Sequence, residues 1–122
     1  MAAATYEQDE TRAGESYAGE LTLRPVDRDP ATFALAGDLD QSTYPVLERV
    51  LERVVEGGSG PVYLDFHDVS LVDSMAARAM YHRWRELRAQ GRDLVIREAS
   101  DWVRKVLRIL QVEEFLVEPT SR

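Results

Sequence analysis

The chain contains no cysteine, which excludes disulfides, thiolate metal ligands and a cysteine nucleophile. It also lacks any apolar run near the roughly 20 residues that a membrane-spanning helix needs. Residues 1–10 have neither a basic start nor an apolar stretch, so they do not resemble a signal peptide. These absences predict a cytoplasmic protein that does not associate with a membrane.

Positive charge is scarce, with 15 lysines and arginines against 22 aspartates and glutamates, and a formal net charge of −7. Such a balance argues against nucleic acid as a partner, because phosphate contacts need a clustered basic face. The charge is also unevenly spread, since residues 1–20 are acidic and residues 75–92 are rich in arginine. We interpret these as two solvated clusters, with mutual attraction between them as the alternative.

Residues with enzymatic chemistry are few. The only histidines are His67 and His82, and no serine lies in the G-x-S-x-G elbow of a hydrolase. Two histidines without cysteine do not form a recognisable zinc motif, and no glycine-rich phosphate-binding loop occurs. The sequence therefore predicts a protein that is not an enzyme and that has no metal or cofactor.

Hydrophobic periodicity and turn residues divide the chain into a disordered acidic leader (1–18), one domain (19–118) and a short tail (119–122). The predicted strands cover residues 20–24, 32–37, 62–66, 93–97 and 115–117, with a turn from Pro25 to Pro30. Three helices are predicted between strands: one over 47–55, capped by Ser42 or Thr43, one from Ser74 to near Gly91, and one capped by Ser100.

The resulting order, β-β-α-β-α-β-α-β, predicts an α/β domain with a mixed sheet of four to five strands. The three to four helices are expected to pack mainly on one face of this sheet. Trp84 and Trp102 both lie on apolar helical stripes and are predicted to belong to the core.

The segment Val62–Ala76 is the most informative part of the chain. An apolar strand passes through a polar bend into Asp73 and Ser74, and an amphipathic helix begins directly behind them. This order predicts that the Ser74 hydroxyl lies at a helix N-terminus on the carboxyl edge of the sheet, where helix N–H groups favour an anion.

Three acids are expected at this same edge. Asp38 and Asp40 follow one strand, and Asp73 precedes a helix. One interpretation is an acidic pocket around Ser74 that holds Mg²⁺ or polarises the hydroxyl. The alternative is that these short polar residues, Ser74 included, cap turns and helix starts. The two interpretations are compatible, because a capping serine is also a possible phosphorylation target.

Taken together, Gly37-Asp38-Leu39-Asp40 and the Asp73-Ser74 pair that opens the next helix resemble the STAS domain of bacterial anti-sigma factor antagonists. The resemblance covers roughly residues 20–118 and includes Gly91 and Ser100. The family motif D-S-[ST]-G is matched only in its first two positions, because Met75 and Ala76 replace the hydroxyl residue and the glycine. Arg78 occupies a further position that is commonly glycine.

The resemblance implies a protein that binds an anti-sigma factor with serine kinase activity and thereby releases a sigma factor. Phosphorylation of Ser74 would abolish this binding, and a serine phosphatase would restore it. Asp38, Asp40 and Asp73 would support the phosphosite. The expected partner contacts are Met75, Ala76 and Arg78, and the expected oligomeric state is a monomer or weak dimer.

Two alternatives remain open at this point. In the first, the chain is a STAS docking module, a scaffold or a transport-complex subunit, in which Ser74 only caps the helix. In the second, it is a receiver-like domain phosphorylated on aspartate, which also gathers acids at strand ends. A receiver needs a lysine at the end of a late strand, whereas the only lysine, Lys105, lies in the third predicted helix.

Overall fold

The computed structural model describes residues 21–116, which form an α/β domain with four strands and three α-helices. The elements follow the chain in this order: β1 (Leu21–Arg28), β2 (Ala31–Leu39), α1 (Tyr44–Glu56), β3 (Val62–Val72), α2 (Ser74–Ala89), β4 (Leu94–Arg97) and α3 (Asp101–Ile109). A 3₁₀ helix, Glu113–Leu116, comes last. The predicted leader (1–18) and tail (119–122) lie outside the described residues.

The sheet has the strand order β1-β2-β3-β4, in which β1 is antiparallel to β2 and the other neighbours are parallel. One face of the sheet and the inner faces of all three helices share a single core, with buried residues such as Leu35, Leu47, Phe66, Met80 and Leu107. The predicted fold class is therefore confirmed. No helix within residues 21–116 is long and apolar enough to cross a bilayer.

The glycine and serine signals at helix ends are confirmed. Gly57 ends α1, and its N–H donates to the carbonyl oxygen of Arg53. Gly91 adopts a φ of 76° just after α2, a left-handed conformation that glycine accepts without a Cβ clash. The Ser100 hydroxyl accepts a hydrogen bond from the Val103 N–H at 3.1 Å and caps α3.

Two predicted irregular segments are strands instead. The turn expected from Pro25 to Pro30 is shorter, because β1 continues to Arg28 with a bulge between Pro25 and Asp27. Proline is tolerated there because β1 is an edge strand. The expected polar bend after Phe66 is also part of β3, which reaches Val72 through two irregularities in its pairing with β2. Each irregularity adds an extra residue to β3 and exposes polar side chains without ending the strand.

Two predictions about apolar residues are wrong. Residues 115 and 116 of the expected last strand, 115–117, lie instead in the 3₁₀ helix, from which the buried Phe115 reaches the core. A short apolar run does not by itself distinguish these conformations. Trp102 is 56% exposed, because α3 turns Val103 and Leu107 toward the core. Trp84 does pack against the core, with its ring centroid 5.4 Å from that of Tyr81.

Candidate functional site

The ends of β2 and β3 lie side by side and bring two turns together. Leu39 pairs with Val72 in the sheet, and the turns that follow begin at Asp40 and Asp73. The Asp73 N–H donates a hydrogen bond of 3.1 Å to the Leu39 carbonyl oxygen. The prediction that acids gather at the carboxyl edge of the sheet is therefore confirmed for Asp40 and Asp73, which begin these two turns.

Asp73 joins the two turns through its carboxylate. Its Oδ1 accepts a hydrogen bond from the Ala76 N–H at 2.8 Å, and its Oδ2 accepts one from the Gln41 N–H at 3.0 Å. Asp73 has an extended backbone (φ −94°, ψ 172°), the conformation typical of an N-cap residue. The cap of α2 is therefore Asp73, and the alternative in which Ser74 is the cap is wrong.

Asp40 organises the turn that precedes α1. Its Oδ1 accepts hydrogen bonds from the Ser42 hydroxyl at 2.7 Å and from the N–H groups of Ser42 and Thr43 at 2.9 and 3.0 Å. These bonds, the Ser42 hydroxyl above all, stabilise the carboxylate and lower the pKa of Asp40 below its ordinary value. Asp40 is thus held as an anion within this turn.

Of the two residues predicted to cap α1, Thr43 stands at the cap position, but neither side chain caps the helix. The buried hydroxyl of Thr43 donates instead to the carbonyl oxygen of Asp38 at 2.8 Å and accepts from the Asp40 N–H at 3.0 Å. These bonds tie the turn to the end of β2.

Asp38 lies within β2 and not after it as expected, because pairing with Leu71 of β3 extends the strand to Leu39. It contributes its backbone carbonyl to the turn through Thr43. Within residues 21–116 there is no group of three or more histidine or acidic side chains that could hold a metal ion. The magnesium interpretation of the acids therefore has no support in this part of the chain.

Ser74 is the first residue of α2, and its side chain is exposed. Of the three expected partner contacts, Met75 is 52% exposed and Arg78 is also exposed, whereas Ala76 is 1% exposed and faces the core. Leu71, which sequence reasoning missed, is 37% exposed just before the site. No sequence signal distinguishes it from an inward-facing strand residue, because the irregular pairing of β3 decides which way it points.

Ser74 also lines a groove that sequence reasoning did not identify. This groove, which we call the Ser74 groove, has a volume of about 240 Å³ and separates the start of α2 from the segment after α3. The residues that line it are Ser74, Ala77, Arg78, Tyr81, Leu110, Gln111 and Val112. The two sides lie more than 25 positions apart in the sequence, so only the tertiary structure brings them together.

Comparisons with known proteins agree with this fold. A family model described as "Mlab, STAS domain" matches residues 23–118. An anti-sigma factor antagonist from Mycobacterium paratuberculosis has a similar structure, with a TM-score of 0.66 and 19% identity over 81% of this chain and 85% of that chain.

The Bacillus cell fate determinant SpoIIAA is also similar in two forms. Its phosphorylated form has a TM-score of 0.56 and 22% identity, over 80% of this chain and 88% of that chain. Its unphosphorylated form has a TM-score of 0.61 and 23% identity, over 80% and 85%. The comparison with curated proteins found no match. At these identities the solved structures show a shared fold.

Proposed function

The chain belongs to the STAS domain family, and on this premise we propose that it acts as an anti-sigma factor antagonist. In this proposal it binds an anti-sigma factor that is also a serine kinase, and so releases a sigma factor. It works in the cytoplasm as a binding protein, without catalysis or a cofactor. Two proteins with the same fold support the proposal, since one is an anti-sigma factor antagonist and another is SpoIIAA in its phosphorylated form.

The observation that carries the proposal is the exposed hydroxyl of Ser74 at the first position of α2. The Ser74 hydroxyl is exposed, and Asp73 rather than Ser74 caps the helix. A kinase can therefore reach this hydroxyl without unfolding the domain. A phosphate at this position adds about −1.5 to −2 charges, which the positive end of the α2 dipole tolerates. Phosphorylation of Ser74 would therefore leave the fold intact and change its surface.

The surface around Ser74 fits a partner-binding role. Leu71 and Met75 expose apolar area on either side of the serine, and Arg78 adds a positive charge one turn later. A partner that buries this surface would press against the Ser74 hydroxyl. A phosphate there, close to the carboxylates of Asp73 and Asp40, would repel an acidic or closely packed partner. A serine phosphatase would then restore binding.

A second candidate function is a docking module whose binding is not switched. The bulk of Met75 and Arg78 beside Ser74 favours it, because the STAS motif has small or hydroxyl residues at these positions. Both side chains lie at the surface that a kinase would approach. In this case the chain binds its partner constitutively, and Ser74 is an ordinary first residue of a helix.

Binding measurements with charge variants separate the two candidates. The probes are the anti-sigma factors encoded in the genome of the native host, titrated calorimetrically with the full chain and with Ser74→Ala and Ser74→Asp. We expect the aspartate variant to lose at least tenfold in affinity, or about 1.4 kcal/mol, relative to the alanine variant. Ser59→Asp is the matched control, because Ser59 is exposed in the turn before β3, at the opposite edge of the sheet.

Intact-mass and peptide mass spectrometry of the protein from its native host complete the test. A phosphate on the Ser74 peptide that changes with growth condition is the expected result. Equal affinities of Ser74→Ala and Ser74→Asp for the partner, with no phosphate in any condition, would overturn the switch in favour of the docking module.

A further inference from the structure

Arg78 stands one helical turn after Ser74 on the same face of α2. Residues four apart on a helix are neighbours, with Cβ atoms about 5–6 Å apart. Both side chains line the Ser74 groove, so they face one shared space of about 240 Å³. A phosphate on Ser74 would therefore enter a groove that Arg78 also lines.

The charge of Arg78 is not neutralised within residues 21–116, where its side chain makes no ion pair or hydrogen bond. Its neighbours on α2 are engaged differently. Arg83 binds Glu48 and Glu86, and Arg88 donates to Asp93 at 3.0 Å. Arg78 is therefore available to an anion in a way that Arg83 and Arg88 are not.

We infer that Arg78 binds the phosphate of phosphorylated Ser74 and holds it in the Ser74 groove. The guanidinium presents a planar fork of N–H donors that matches two phosphate oxygens, and such charge-assisted bonds are the stronger kind. The side-chain amide of Gln111, across the groove, is a further donor within the same space. The inference rests on the proposed role of Ser74 as a phosphorylation site.

This contact gives phosphorylation a second effect on the partner surface. In the unphosphorylated protein, Arg78 is an exposed cation beside Met75 and contributes to the surface offered to a partner. In the phosphorylated protein, the same guanidinium is paired with the phosphate in the groove, and its charge is neutralised. The switch then withdraws a positive charge from the surface in addition to adding a negative one, which discriminates more sharply between the two states.

The test uses the full chain with phosphoserine incorporated genetically at position 74, so that no kinase is needed. The second pKa of the phosphate, near 6 when free, is measured by ³¹P NMR in the parent protein and in Arg78→Gln and Arg78→Lys. A nearby cation favours the dianion, so we expect the pKa to rise by about half a pH unit, or threefold in proton affinity, in Arg78→Gln. Arg78→Lys should show a smaller rise because lysine keeps the charge without the fork.

Arg85→Gln is the matched control. Arg85 is exposed on the same helix and makes no ion pair within residues 21–116, but it lies about three turns from Ser74 and outside the groove. Its loss changes the net charge equally and should leave the phosphate pKa unchanged. A phosphate pKa that is the same in the parent and in Arg78→Gln, or that shifts equally in Arg85→Gln, would overturn the inference.

The phosphate pKa tests the Arg78 contact, whereas the partner titrations test the proposed switch, so either one can fail without the other. If Ser74→Asp weakens partner binding while Arg78→Gln leaves the phosphate pKa unchanged, the proposed switch stands and the Arg78 contact is wrong. If the phosphate pKa depends on Arg78 but Ser74 is never modified in the host, the contact is a property of this surface and the proposed switch fails. Circular dichroism of each variant establishes that the exposed substitutions leave the fold unchanged.

Discussion

Replacing Asp73 with alanine removes two hydrogen bonds that connect different elements. The first caps α2 through the Ala76 N–H at 2.8 Å, and the second holds the β2–α1 turn through the Gln41 N–H at 3.0 Å. Asparagine at this position caps a helix as well as aspartate does. Its amide has only one acceptor oxygen, however, so Asp73→Asn keeps the cap and loses the contact with Gln41.

The expected cost follows from these two contacts. Loss of an N-cap to alanine typically costs about 1 kcal/mol, and a hydrogen bond from an exposed N–H to a carboxylate contributes roughly another 1 kcal/mol. We therefore expect Asp73→Ala to lower the free energy of unfolding by about 2 kcal/mol and Asp73→Asn by about 1 kcal/mol. Ser100→Ala is the control, because Ser100 caps α3 by accepting one hydrogen bond at 3.1 Å from the Val103 N–H.

Urea unfolding followed by circular dichroism gives the three free energies, and amide hydrogen exchange locates the effect. The Gln41 amide should exchange faster in both Asp73 variants and at the parent rate in Ser100→Ala. If Asp73→Ala costs no more than Ser100→Ala and the exchange of Gln41 does not change, Asp73 does not connect the two turns. The reasoning that places the Asp40 turn next to Ser74 through this carboxylate would then be wrong.

Two further predictions concern single groups. Burial and the neighbouring Glu48 carboxylate raise the pKa of Tyr44, and its buried hydroxyl has no hydrogen-bond partner of good geometry within residues 21–116. Tyr44→Phe should leave the urea-unfolding free energy unchanged or raise it by up to about 1 kcal/mol, and a loss above that amount would reveal a partner for the hydroxyl. The pKa of Asp40 is lowered in the folded state, so its contribution to stability is present above the unfolded value of 3.8 and disappears as the pH falls through the folded value. Carboxyl ¹³C NMR should show a higher Asp40 pKa in Ser42→Ala, and an unchanged pKa would mean that the Ser42 hydroxyl does not stabilise the carboxylate.

Much of the fold was predictable because its signals are local. The apolar period of Leu47, Val50 and Leu51 defines α1, and Ser100 marks the start of α3 through its own side chain. The Asp73-Ser74 pair likewise marks the start of α2, although one expected alternative made Ser74 the capping residue. Aspartate caps the helix, and the serine is left exposed as the first helical residue.

The errors share a physical cause. Leu71 and the polar residues of β3 follow no simple alternation, because two pairing irregularities with β2 shift the register partway along the strand. Trp102 lies on an apolar stripe by its spacing, but the packing of Val103 and Leu107 against the sheet rotates it outward. In each case a contact with a distant segment decides the orientation.

The amino-acid order alone predicted the three helices, part of each strand of the sheet and the Asp-Ser pair that opens α2, but not the continuation of β3 to Val72 or the 3₁₀ helix Glu113–Leu116. Hydrophobic period, caps and turn residues act over a few positions, so the amino-acid order is sufficient for them. The contact of Asp73 with Gln41, and the placement of Gln111 across one groove from Ser74 and Arg78, depend on the tertiary structure. Those juxtapositions join residues about 30 positions apart or more, and they depend on how strands pair and helices pack across the whole domain.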